Sequence, residues 1–169
     1  MEMTYRILNE YEVCDLYACL KAEDILWAIF PDVPDMSEDQ FLADMQRDDV
    51  YALGGFIDGY LAGCLTVRPF DGANTQCAEV GVTALRRYFP VAAPLCRGAL
   101  IKAAEDLHPA SFIGRVAVPN IHVIRMLSRV GFKKLCRIPG LVYYGRKSNY
   151  VDGYLVLATP ESVRLSEGA

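Results

Sequence analysis

The sequence predicts an α/β fold, an α+β mixed sheet with helices on its faces, in the order β-α-α-β-β-β-α-β-α-β-β. Three observations carry this reading. Residues 50–57 and 60–67 are apolar and aromatic runs joined by Asp58-Gly59, the dipeptide that best suits a tight type I′ hairpin turn. Apolar residues recur at helical spacing over residues 12–30 and again from Leu95 to Leu107. Between the hairpin and the second of these helices, the β-like run Glu79-Val80-Gly81-Val82-Thr83 empties into a loop, so that strands and helices alternate as layered α/β folds require.

Residues 3–8 alternate weakly and form the first expected strand. In residues 12–30, Val13, Leu16, Leu20, Ile25 and Ile29 fall on one helical face, and Pro31 and Pro34 close the helix. Ser37 offers an N-cap with Gln40 three residues on, and Phe41, Leu42 and Met45 supply one face of a short second helix. After the hairpin, residues 69–75 read as a loop and 76–83 as the next strand, with a β-bulge expected at Gly81. A helix then begins near Pro94, whose missing N–H costs nothing at a first helical position; Leu95, Cys96, Ala99, Leu100, Ala103, Ala104 and Leu107 share one face of it. Residues 111–118 form a fifth strand. Pro119-Asn120 opens another helix with Ile121, Ile124, Leu127 and Val130 inward, and Gly131 ends it. Residues 132–144 and 150–158 are the last two strands, and a loose tail is expected from Pro160. No repeat or low-complexity linker divides the chain, so residues 1–169 are expected to form a single domain.

At 169 residues, 53% hydrophobic and 22% charged, the chain has the composition of a soluble globular protein with a substantial core. A net charge of −4 argues against a general nucleic-acid binder. The start lacks the apolar core of a signal peptide and no stretch is apolar over a bilayer's thickness, so a cytoplasmic protein without a membrane partner is expected. The six cysteines form no Cys-x-x-Cys pair and read as reduced core residues. Neither His108 nor His122 has metal-ligand spacing to a cysteine, so no metal is expected.

The chemistry concentrates at the loop of residues 84–93. No Ser, Thr, Asp or Asn lies between Tyr88 and Leu95 to cap the coming helix, so its first-turn N–H groups go to water or to a ligand. Arg86 and Arg87 stand just upstream, bringing positive charge to those donors, a combination suited to phosphate. The plainer alternative is an uncapped helix with two solvated arginines.

The element order, the helix opened by Pro119-Asn120 and followed by Arg125, Leu127 and Val130-Gly131-Phe132, and Asp152 in the last strand together resemble the GCN5-related N-acetyltransferase (GNAT) superfamily over nearly the whole chain. The resemblance implies the acyl-CoA N-acyltransferase fold, acetyl-CoA as co-substrate, and an amine of a small molecule or protein as acceptor; a homo-oligomer is left open. Arg87, Tyr88, Phe89, Pro90, Val91 and Ala92 stand where the family's CoA loop reads Gln/Arg-x-x-Gly-x-Gly/Ala. With Val82, Thr83 and Asn120 they are the implied cofactor-binding residues. Pro90 replaces the middle glycine and removes one backbone donor from the presumed cradle. Leu127 stands where many members carry the tyrosine that returns a proton to the departing thiolate; Ser128 is adjacent but points elsewhere on the helix, and Tyr143 or Tyr144 reach in only if the sheet bends.

Glu79 stands where several members have the carboxylate that takes the amine's proton, directly or through water, and burial among apolar neighbours is expected to raise its pKa. Its alternative is a strand-edge glutamate facing solvent. Asn120 is a helix cap, a CoA contact or both, and His122 reads as an exposed structural residue. Trp27, Tyr51, Phe56 and Tyr60 are expected to pack the core or sheet face. Two functions follow: a CoA-dependent N-acyltransferase, or a catalytically inactive GNAT-fold binding or assembly protein of the kind that bacteriophages encode.

Overall fold

The computed structural model describes residues 1–26, 33, 35–70, 76–144 and 149–166. In chain order these form β1 (Met3–Ile7), α1 (Glu10–Ala22), α2 (Glu38–Met45), β2 (Tyr51–Ile57), β3 (Tyr60–Pro69), β4 (Cys77–Ala84), a 3-10 helix (Arg86–Val91), α3 (Ala92–Leu107), β5 (Ser111–Ala117), α4 (Ile121–Arg129), β6 (Lys133–Tyr144), β7 (Asn149–Ala158) and α5 (Pro160–Leu165). The seven strands make one sheet in the order β1-β2-β3-β4-β5-β7-β6. Every neighbouring pair is antiparallel except β4 and β5, which run parallel across the α3 crossover. The hairpin has φ of 49° at Asp58 and 83° at Gly59, the two positive values that a type I′ turn demands.

Alternation along the strands divides the apolar residues between the two faces. On one face Leu53, Leu65, Val67, Ala78, Phe112, Val116 and Val156 meet α3, α4 and α5 through Cys96, Leu100, Ala103, Leu127 and Val163. On the other, Ala52, Phe56 and Cys64 meet α1 and α2 through Val13, Leu16, Leu20, Phe41 and Met45. The α1/α2 layer covers the β1–β4 half of that second face, whereas Arg115 of β5 is exposed there.

Four expectations change. The first helix opens earlier, at Glu10, because Asn9 accepts from the Glu12 N–H and Glu12 returns a bond to the Asn9 N–H, a complete capping box. That helix ends at Ala22; Trp27, Ile29, Pro31 and Pro34 lie outside the described residues, as do the turn residues 71–75 and 145–148. No bulge occurs at Gly81, where the β3–β4 register is unbroken; the irregularities fall at Gly55/Phe56 and within β6. The expected loose tail is the helix α5, begun by a Thr159/Ser162 capping box with Pro160 in the first turn and held by Val163, which is fully buried. Arg97 of α3 donates to the Val163 and Arg164 carbonyls, each at 3.1 Å.

The aromatic residues divide. Phe56 is buried under the Arg6 guanidinium, 4.1 Å from its ring centre, and half-buried Tyr51 donates its hydroxyl to Asp106. Tyr60 is 67% exposed beside the hairpin turn and does not pack as expected. Among the described residues no helix is long and apolar enough to cross a membrane, and no group of His, Cys, Asp and Glu is arranged to hold a metal ion.

Candidate active site

The centre of the sheet contains a fork. β4 pairs with β5 only at Cys77–Ser111, Ala78–Phe112 and Glu79–Ile113. Beyond Glu79, β4 stays paired with β3 as far as Ala84, and β5 stays paired with β7 as far as Ala117. Two interior strands thus leave each other while each keeps its outer neighbour.

The backbone groups that this parting exposes follow from the parity of the ladder. Phe70 N bonds Cys77 O at 3.1 Å and Leu85 N bonds Ala62 O at 2.9 Å, at the two ends of an unbroken antiparallel register. Odd-numbered residues from 77 to 85 therefore exchange hydrogen bonds with β3, and even-numbered ones turn N–H and C=O toward β5. At Val82 and Ala84 that side has no strand to meet. Polar backbone seeks partners, so this half of β4 is built to pair with something extended that lies in the fork. The side chains from Val80 to Ala84 are all only half-buried, an unusual state for an interior strand.

At the apex sits Glu79. Its carboxylate is held by Arg115, Nε to Oε1 at 2.6 Å, with side-chain exposures of 26% and 47%. The expected apolar enclosure is absent; the carboxylate is ion-paired and reachable by solvent. Glu79 is opposite Arg68 in the β3–β4 register, and Arg68 is itself paired with Asp44 of α2. Sequence reasoning missed Arg115. Its only signal is that it lies two residues past Ile113 and so shares a face with Glu79, which is readable once the β4–β5 register is known.

Gly81 follows on the same face, between Glu79 and Thr83. A Cβ there would stand 2.6 Å from Thr66 Oγ1, so the glycine makes room for the Thr66 hydroxyl, which donates to the Gly81 carbonyl at 3.4 Å. Beside it runs a crevice of about 10 Å³ lined by Leu16, Leu20, Phe41, Cys64, Thr66 and Thr83. A second, of similar size, lies on the α3 face among Gly63, Leu65, Val82, Ala84, Leu95 and Cys96. Each has room for about one water.

The loop after β4 is more ordered than an open cradle. Residues Arg86–Val91 coil into a 3-10 helix that contains Pro90 and runs straight into α3. Its amides are partly committed: Arg86 N donates to Glu23 Oε2 at 2.9 Å, Tyr88 N to Leu85 O at 2.8 Å, and Ala92 N to Phe89 O. As expected, no side chain caps α3; Pro94 falls at its third residue rather than its first. The Arg87 guanidinium lies over the Tyr88 ring at 4.7 Å, and Phe89 is 55% exposed. Positive charge is therefore present at the mouth of the fork, while the supply of free amides is small.

Asn120 stands at the N-cap of α4 with φ −83° and ψ 54°, and its side chain makes no capping bond. Of the two uses expected for that side chain, the cap is not made. Leu127 is buried in the core against α3 and α5, and Ser128 donates back to Ile124 O at 3.0 Å, so neither offers a proton to the fork. His122 is exposed on α4, and Tyr144 is buried at the far end of β6.

No protein-family model matches the sequence, and no curated protein matches it. Solved structures do match. An acetyltransferase of the GNAT family from Streptococcus pneumoniae superposes with a TM-score of 0.72, at 15% identity, over 94% of this chain and 99% of that one. The fold is that of the GNAT acetyltransferases. A spermidine N-acetyltransferase SpeG chimera from Vibrio cholerae and hSSAT reaches a TM-score of 0.80 at 15% identity, over 97% of this chain and 99% of that one. The yncA structure from Salmonella typhimurium, solved with its cofactor acetyl-CoA, reaches 0.73 at 16% identity over 94% of each chain.

Proposed function

We propose that this GNAT-fold chain, acting as one domain over residues 1–169, is an acyl-CoA-dependent N-acyltransferase that moves an acetyl group from acetyl-CoA to an amine. The observation that carries the reading is the parting of β4 and β5 after Glu79–Ile113. It leaves a cleft edged by strand backbone, and an extended amide-bearing arm such as pantetheine can supply the missing pairing.

The residues present fit such a co-substrate. Val82 and Ala84 offer N–H and C=O to the arm, with Thr83 between them facing α1. Asn120 offers an uncommitted amide from the other side of the fork. Arg87, with Tyr88, Phe89, Val91 and Ala92 around it, offers charge and surface for the diphosphate, and Pro90 gives that turn its fixed φ. The Val82 N–H polarises the acyl carbonyl where negative charge develops. Glu79 takes a proton from the substrate ammonium, directly or through water. The freed amine nitrogen bonds to the acyl carbon as the carbon–sulfur bond breaks, and the second amine proton goes to the departing thiolate to give the CoA thiol. No covalent enzyme intermediate is needed.

Calorimetry with acetyl-CoA, followed by thiol release in the presence of an amine panel, tests the reading. Binding and turnover are expected. In Glu79→Gln, turnover at neutral pH is expected to fall by about 10²-fold or more with little change in melting temperature, because an exposed ion pair contributes about 0–1 kcal/mol. Absence of acetyl-CoA binding at millimolar concentration would end the proposal.

A second reading, a GNAT-fold binding or assembly protein without activity, draws on two observations. Leu127 occupies the proton-donor position as a core residue, and the 3-10 helix commits several loop amides. Thiol release with the amine panel separates the two readings.

A further inference from the structure

We propose that the acceptor is a zwitterion of the α-amino acid type, a primary amine next to a carboxylate, bound on the α1/α2 side of the fork by Glu79 and Arg115 together. This rests on the transferase reading above and names the class of amine that reading leaves open.

The argument starts from valence. Arg115 uses Nε to hold Glu79 Oε1 at 2.6 Å. Its two terminal nitrogens carry no hydrogen bond or ion pair among the described residues, and the side chain is 47% exposed. A guanidinium edge left open in this way is shaped for a planar anion. Glu79 likewise keeps Oε2 uncommitted among the described residues. The two residues thus present an anion acceptor for an ammonium and a cation fork for a carboxylate, side by side at hydrogen-bond spacing. An α-amino acid carries its ammonium and carboxylate on one carbon, about 3 Å apart, which matches that spacing.

Position supports the same conclusion. Both side chains project from the last paired and first unpaired turns of β4 and β5, where the acyl group is expected to lie. Gly81, next on the same face of β4, places no side chain between Glu79 and Val82. Arg68 does not compete for the substrate anion, since Asp44 already neutralises it. A simple amine would meet the Arg115 guanidinium with nothing to offer it, whereas a zwitterion meets complementary charge at both ends.

The test measures kcat/KM with acetyl-CoA for each common L-amino acid against its primary amide, alongside calorimetry of acetyl-CoA binding. The amide keeps the amine and side chain and loses only the negative charge. Its amine is also the less basic, so solution reactivity alone would favour the amide. The expected result is a preference for the free acid of about 10- to 100-fold, mainly in KM, the range of a charge-assisted hydrogen bond. Arg115→Gln is expected to bring the acid-to-amide ratio toward one whatever it does to overall rate, and Arg115→Lys to retain part of the preference. Acetylation of amines with no preference for the acid, or a preference unchanged in Arg115→Gln, overturns the inference and leaves the transferase standing. Acetyl-CoA binding without turnover of any amino acid also overturns it. Absence of acetyl-CoA binding removes both.

Discussion

A proline scan of two adjacent residues tests the central fork directly. Ladder parity turns the Val82 N–H toward the space that β5 has left, and the Thr83 N–H toward β3. Val82→Pro therefore removes no bond of the sheet. The preceding Gly81 accommodates the proline ring, and φ is the main adjustment. The loss is about 1 kcal/mol, from a half-buried Val side chain whose full burial is worth about 1.5–3 kcal/mol. Thr83→Pro removes a ladder hydrogen bond, strands a carbonyl of β3 at a cost of about 1–3 kcal/mol, and forces the strands apart. At about 2–4 °C per kcal/mol for a chain of this size, the melting temperature should fall by about 3 °C in Val82→Pro and by about 10 °C in Thr83→Pro. Turnover should separate the variants the other way: in stably folded Val82→Pro, kcat should drop by about 10²–10³-fold, the cost of one donor to a developing oxyanion. Differential scanning fluorimetry and thiol release read the two quantities. If Val82→Pro melts as early as Thr83→Pro, the Val82 N–H has a partner within the protein. If it folds and turns over normally, that N–H does not polarise the acyl carbonyl.

Three further outcomes follow. Gly131→Ala should lower stability by more than about 2 kcal/mol in urea, because φ is +95° and a Cβ would lie 2.4 Å from the Ser162 carbonyl oxygen, a contact between two backbones that neither can relieve. Arg6 beside Glu12 holds that carboxyl below its usual range; a depressed folded-state pKa gives stability that is present above the unfolded value and lost as pH falls through the folded one. Glu12→Gln keeps the capping box and removes the charge, so wild type should melt higher at neutral pH and the gap should close on acidification below about pH 4; a gap independent of pH would remove the ion pair from the account. Arg87→Gln should weaken CoA by about tenfold at low salt, with the difference shrinking as ionic strength rises, in calorimetric titrations at two salt concentrations.

Local signals in the sequence translated into local structure. Asp58-Gly59 forced a turn that few other residues allow, Ser37 and Gln40 close a capping box, and the 3.6-residue spacing of α3 buries the residues it named except Leu107, which is exposed at the helix end. Local signals also explain the misses. Asn9 with Glu12 is as complete a cap as Ser37 with Gln40, but the apolar spacing alone starts the helix at Glu12, which is its third residue. The helix α5 is six residues long, too short to show a period, and Thr159-Pro160 with Ser162 was its one mark. Gly81 was read by its backbone freedom, as a bulge; its use is the space it leaves beside Thr66. The site divides along the same line. Strand, loop and helix around Glu79 lie within 30 residues and were legible together, whereas the Glu79–Arg115 pair joins residues 36 apart and depends on where two strands stop pairing. No periodicity encodes that.

Under the transferase proposal, Pro90 redistributes a binding function instead of deleting it. A glycine-rich turn holds a diphosphate with amides, which requires a backbone able to open toward the ligand. Proline fixes φ and here continues a 3-10 coil, so amides that an open turn would present are bonded to Leu85, Phe89 and Glu23. The coil in return presents Arg86 and Arg87 on its exposed side, with Arg87 stacked on Tyr88 and thereby restrained before any ligand arrives. Recognition moves from neutral donors with fixed direction to a side-chain charge that acts over a longer range. The diphosphate site so proposed should tolerate displacement of its ligand and weaken with salt, properties that a cradle of amides lacks.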